Sequence, residues 1–177
     1  MDAWAFGVLV AVAVVEIVLS LRWNKAYFST GIPIFRQELS AQSPKPELPS
    51  SQRMEDRLSK SAFPPLQFRQ LDSDDMGFRE KAAGAWLRLS YTPVMHGLLR
   101  FDRSGARLEV IGFLNWFVLV FVLAGIMAAF SFQAPVFLVF LVGVLALIYM
   151  IQAKRFRQVA TYALQEWNAV SREGAGA

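Results

Sequence analysis

Polar and apolar residues are sorted along this chain into long blocks. Three runs are almost free of charge: Ala3–Leu21 (AWAFGVLVAVAVVEIVLSL), Val110–Phe130 and Pro135–Ile151. As a helix rising 1.5 Å per residue, the first run extends about 28 Å, close to a hydrocarbon core of about 30 Å. The pattern predicts three transmembrane helices. The second and third are joined by Ser131, Phe132, Gln133 and Ala134, a link so short that they form an antiparallel hairpin. Pro135 suits the first turn of the third helix, where its missing N–H is not needed. Asp2 before the first run, and Arg22, Trp23, Asn24 and Lys25 after it, supply neither a basic leader nor a small-residue cleavage site. An uncleaved anchor is expected.

Between the first and second runs the pattern changes character. Ser40–Ser51 (SAQSPKPELPSS) is rich in proline and serine and reads as a linker or loop. Residues 52–62 place Met54 and Leu58 on one side of a short helix that stops at Phe63-Pro64-Pro65. Strand-like pieces follow at Leu66–Leu71, Ala85–Tyr91 and His96–Phe101. The last pairs with Ala106–Ile111 across Asp102-Arg103-Ser104-Gly105, Gly105 taking the left-handed position of a bulged hairpin. Leu99 and Phe101 then face the same way as Leu108 and Val110. Beyond the third run, Phe156, Val159, Ala163, Trp167 and Val170 recur at spacings of three and four, the signature of an amphipathic helix. The expected fold class is a mainly α membrane protein: one anchor at 1–21, a small α+β domain at 22–109, a helical hairpin at 110–130 and 135–151, an amphipathic helix at 152–172 and a frayed tail at 173–177.

Charge orients this arrangement. Arg22, Lys25 and Arg36 follow the first run, Arg100, Arg103 and Arg107 precede the second, and Lys154, Arg155 and Arg157 follow the third. The positive-inside rule then puts the N-terminus outside and both the polar domain and the C-terminus in the cytoplasm. Composition agrees with a bilayer, since 55% of residues are hydrophobic and mean hydropathy is +0.36. The net charge of +4 is accounted for by these flanks, without invoking nucleic acid. Around the end of the first run, Arg22, Trp23, Lys25 and Tyr27 have the composition of a headgroup-level belt, and Lys154 and Arg155 repeat it on the other side of the domain.

Candidate chemistry is sparse. With no cysteine in the chain, disulfides, thiolate metal sites and cysteine nucleophiles are excluded. Asp72, Asp74 and Asp75 resemble a fragment of a calcium loop but lack its later ligands, so a solvated turn is expected there. His96 is the single histidine, and Ser90 and Ser104 have no nucleophile-elbow context. No phosphate-binding, dinucleotide, zinc or haem motif occurs, and neither a metal nor another cofactor is expected. Glu16 is the most informative residue, because a carboxylate inside an apolar helix needs protein, water or a partner charge. Ala3, Gly7 and Ala11 form a small-residue ridge on a different face of the same helix. Together with Trp167, these residues mark surfaces for a neighbour. The reading is a non-catalytic accessory, scaffold or assembly subunit contacting lipids and other membrane subunits, with a homo-oligomer also compatible. Its rivals are a homo-oligomeric channel or proton-conducting element using Glu16 and a membrane-tethered sensor or binding module.

Overall fold

A computed structural model describes residues 3–40, 49–59, 65–80, 94–102, 104–131 and 135–175. Helix α1 (Ala3–Leu21) is followed by a short α2 (Lys25–Ser29), strand β1 (Pro33–Ser40) and α3 (Ser51–Ser59). Strands β2 (Leu66–Gln70), β3 (Asp75–Glu80), β4 (Met95–Asp102) and β5 (Arg107–Leu114) come next, then α4 (Trp116–Ser131) and α5 (Pro135–Ala175). The strands make one five-stranded sheet in the order β1-β5-β4-β3-β2, every neighbouring pair antiparallel.

Alternation decides which face of the sheet is dry. Phe35, Phe68, Met76, Phe78, Met95, Leu99, Phe101, Leu108 and Val110 all point to one side and form the main core. The lid on that side is the second half of α5, which contributes Phe156, Val159, Ala160, Ala163 and Trp167, with Met54 and Leu58 of α3 beside it. The opposite face holds a smaller cluster of Leu98, Ile111 and Phe113, with Leu71 against it. Gly97 and Gly112 are paired across β4 and β5. A Cβ on Gly97 would stand 2.1 Å from Cζ of Phe78, and one on Gly112 would stand 2.9 Å from Cε1 of Phe156. The missing side chains are what let the rings of Phe78 and Phe156 come close to the sheet backbone.

The expectation of a mainly α protein with three transmembrane helices is corrected by this architecture. The molecule is an α+β fold organised around the five-stranded antiparallel sheet. Among the described residues one helix is long and apolar enough to cross a membrane, the segment Leu138–Ala169 of α5. The apolar stretches Val10–Leu21 of α1 and Trp116–Met127 of α4 are shorter. The physical reason is that hydropathy measures apolarity without regard to secondary structure. Val110–Leu114 read as the start of a membrane helix, yet these residues are the end of β5, apolar because it is buried on both faces. Likewise the third run and the amphipathic helix are one continuous helix of 41 residues.

Two strands went unread, β1 and β3, the latter taking Asp75, Met76 and Gly77 out of the supposed aspartate turn. In the β4–β5 hairpin the left-handed residue is Ala106, with φ 47°, and not Gly105. Gly105 instead makes room for Asp102, whose Oδ1 accepts from the backbone N–H of Ser104 at 3.0 Å and of Gly105 at 3.1 Å. The strand read at Ala85–Tyr91, most of the linker and the tip of the helical hairpin lie outside the described residues.

Candidate functional site

The apolar helices and the sheet meet at a buried polar junction. Trp23 turns the chain sharply after α1, with φ 54°, and Asn24 caps α2 by accepting from the N–H of Tyr27 at 3.2 Å. The single turn of α2 thereby carries Tyr27 and Phe28 under β4, where both are buried. The Tyr27 ring stacks on His96 with centroids 4.1 Å apart, and Trp116 meets it edge-on at 5.6 Å. Phe28 fills the space beside Gly77 and stacks on Trp23 at 5.2 Å. The Arg79 guanidinium lies over that indole at 4.8 Å and also reaches Ser20 Oγ at 3.2 Å. One arginine of β3 thus ties down the end of α1.

At the centre of the junction lies Glu16, only 6% exposed. Its Oε1 accepts from the Tyr27 hydroxyl at 2.7 Å and from the N–H of Trp116 at 3.0 Å, and its Oε2 accepts from the N–H of Phe117 at 2.6 Å. Trp116 and Phe117 open α4, so the carboxylate takes up two of the N–H groups that a helix start leaves unbonded and sits where the helix dipole favours negative charge. The residue that looked like a partner-seeking charge has its partners inside its own chain.

His96 completes the network. Its Nε2 lies 3.0 Å from the Tyr27 carbonyl oxygen and its Nδ1 lies 2.8 Å from the Asn115 side chain. A backbone carbonyl only accepts, so Nε2 carries a proton and donates to it. Burial holds the imidazole pKa below its ordinary value, against the opposing pull of those two hydrogen bonds. The atom nearest Nδ1 is Asn115 Oδ1, so both ring nitrogens face acceptors, which suits a protonated ring, and burial opposes that charge. Burial also pushes the Tyr27 phenol pKa far up, and the neighbouring Glu16 adds to the shift. Tyr27 therefore remains a donor.

A second junction fastens α5. Gln152, fully buried, accepts through Oε1 from the N–H groups of Val94 at 2.9 Å and Met95 at 3.1 Å. One turn on, Arg155 forms a buried ion pair with Glu80, and one turn back the Tyr149 hydroxyl donates to the Ile34 carbonyl at 3.0 Å. Further along, Arg53 and Arg57 of α3 both approach Glu166 of α5, at 3.3 and 3.4 Å.

These contacts redistribute the residues singled out from sequence. Gly7 and Ala11 are exposed on α1, with open space around Gly7, and Ala3 begins that helix. Trp167 is buried under Phe101, edge-on at 5.5 Å, in the core of its own chain and not on a face for another subunit. Tyr27 and Arg155 likewise turn inward instead of toward lipid, because each has an intramolecular polar partner. Trp23 contacts Phe28 and Arg79, and Lys25 pairs with Asp72, which holds the lysine pKa up and the aspartate pKa down. Arg22 and Lys154 stay exposed. Asp74 and Asp75 do not gather with Asp72 into a metal site, and no such group exists among the described residues; Asp75 is bonded to Arg100 at 3.2 Å.

Sequence reasoning missed Asn115, Gln152 and Glu80. Two left a signal: Asn115 is a lone amide at a helix start, and Gln152 is the first amide after an apolar stretch of α5. No known family model, curated protein or solved structure matches this chain.

Proposed function

We propose that this chain is a non-catalytic accessory, scaffold or assembly subunit of a cytoplasmic-membrane complex. In this reading its apolar helical end lies in lipid beside other membrane subunits and its sheet faces the cytoplasm. The observation that carries the reading is the apolar surface at that end. Val14, Val15, Ile17 and Val18 of α1, Phe121, Leu123 and Met127 of α4, and Val139, Phe140 and Val142 of α5 are all exposed. A water-facing monomer rarely leaves a contiguous apolar patch of more than a few hundred Å². The open Gly7 and Ala11 ridge adds a surface on which another helix can approach closely. A proton-conducting role for Glu16 has less support, since its oxygens are engaged by Tyr27 and the start of α4.

The test is extraction of the full chain from its native membrane in a mild detergent, followed by sizing and mass spectrometry. A stoichiometric second membrane polypeptide is expected in the particle. A monodisperse monomer, or a chain released by alkaline washing without detergent, overturns the reading; a pure homo-oligomer replaces it with self-assembly.

A further inference from the structure

We infer that the boundary between the apolar helices and the sheet binds anionic phospholipid headgroups through Arg22, Lys154 and Arg157; the inference rests on the membrane reading above. The depth of the boundary is set by hydrogen bonds that run across the molecule. Glu16 of α1 binds the first N–H groups of α4, the N–H of Asn115 just before α4 binds the Val94 carbonyl at 2.8 Å, and the N–H of Val94 binds Gln152 of α5. Glu16, the start of α4 and Gln152 are therefore joined in one chain of hydrogen bonds, which we take as the level of the boundary.

From that level, helical rise places Arg22 about 9 Å beyond Glu16, and Lys154 and Arg157 about 3 and 8 Å beyond Gln152, all toward the sheet. The polar layer on each side of a hydrocarbon core is about 5–8 Å deep. All three side chains are exposed. Toward the other side, the exposed large residues on the same helices are apolar, Val10, Val14, Leu147 and Ile151 among them. Among the described residues, carboxylates near this level are engaged: Glu16 by α4 and Tyr27, Glu80 by Arg155, and Asp72 by Lys25. The exposed charge left there among the described residues is positive, from the end of α1 and from α5. A phosphodiester with a net negative headgroup complements it; a zwitterionic headgroup does so less.

The full chain, reconstituted in phosphatidylcholine vesicles, is probed with spin-labelled phosphatidylglycerol and, separately, spin-labelled phosphatidylcholine. The motionally restricted fraction of each label reports lipid held at the protein surface. We expect phosphatidylglycerol to be preferred about 3- to 10-fold at low salt, with the preference shrinking as ionic strength rises. The triple variant R22Q/K154Q/R157Q should lose it and the charge-keeping R22K/K154R/R157K should retain it. Equal association of the two labels with the wild-type chain, or a preference indifferent to salt, overturns this inference and leaves the membrane reading standing. A complete lack of restricted lipid with either label overturns both.

Discussion

The Tyr27 hydroxyl donates to Oε1 of Glu16 across 2.7 Å, joining a tyrosine stacked under the sheet to a carboxylate carried by an apolar helix. The same carboxylate holds the first two N–H groups of α4. Glu16→Ala removes the acceptor from three donors at once, the Tyr27 hydroxyl and two half-buried N–H groups, and is expected to cost about 2 kcal/mol or more. Glu16→Gln keeps one oxygen but turns an NH₂ toward a backbone N–H, so it should fall between alanine and wild type. Tyr27→Phe removes a single bond, worth about 1 kcal/mol. Thermal unfolding of the detergent-solubilised chain, followed by circular dichroism, reads this order. A wild-type melting temperature for Glu16→Ala would contradict the capping role.

His96 gives the junction a pH dependence whose sign follows from its burial. Its pKa in the folded chain lies below the ordinary 6.5 because desolvation penalises the imidazolium. As pH falls through 6.5, the unfolded chain takes up a proton that the folded chain does not. Stability is therefore full above that value and declines on acidification until the folded-state pKa is reached. Asp72 and Asp102, whose pKa values are held down by hydrogen bonds from Lys25 and Ser104 respectively, respond only at lower pH. Since the chain has one histidine, melting temperatures between about pH 7 and 5 isolate it. The slope should vanish in His96→Gln, and an unchanged slope there would assign the effect to another group.

How far such details could be read from sequence depends on whether the signal was local. The bounds of α1 follow from an unbroken apolar run, the facing of Leu99, Phe101, Leu108 and Val110 from alternation within a few residues, and the structure has both. Strand β1 (PIFRQELS) hides its alternation, because Gln37 stands at an inward position between Phe35 and Leu39. The candidate junction was legible as one residue, Glu16. Its partners lie 11 and about 100 positions away, Tyr27 and the start of α4. Nothing in a periodicity argument brings such positions together. His96 and Tyr27 were visible as residue types, yet their stacking depends on the turn at Trp23 that sends α2 beneath the sheet.

Gly97 is expected to be intolerant of any side chain. Phe78, its register partner on β3, lies over it and also contacts Phe68 and Phe156 at centroid distances of 5.4 and 4.8 Å. Gly97→Ala forces that ring out of a packed aromatic stack, at about 1–3 kcal/mol for overpacking. Combining it with Phe78→Leu should cost less than the sum of the two single changes, since the smaller side chain vacates the space the new methyl needs. Additive losses of melting temperature would mean that the methyl group clashes with something other than Phe78.

The continuity of α5 implies that the sheet cannot stand without it. The dry face of the sheet is covered by Phe156, Val159, Ala160, Ala163 and Trp167 from that helix, so residues 22–114 alone would leave the rings of Phe35, Phe78 and Phe101 facing water. That fragment is expected to lack near-ultraviolet circular dichroism and to aggregate. Joining residues 149–172 to it through a flexible linker should restore a cooperative melt, because the segment brings back the apolar lid together with Gln152 and Arg155, which bind Val94, Met95 and Glu80. Within the full chain, Trp167→Ala should cost about 3–5 kcal/mol, as for other large buried aromatics. A fragment that folds cooperatively without α5 would show that the sheet has enough core of its own, and that α5 is an attachment to the sheet domain and not part of it.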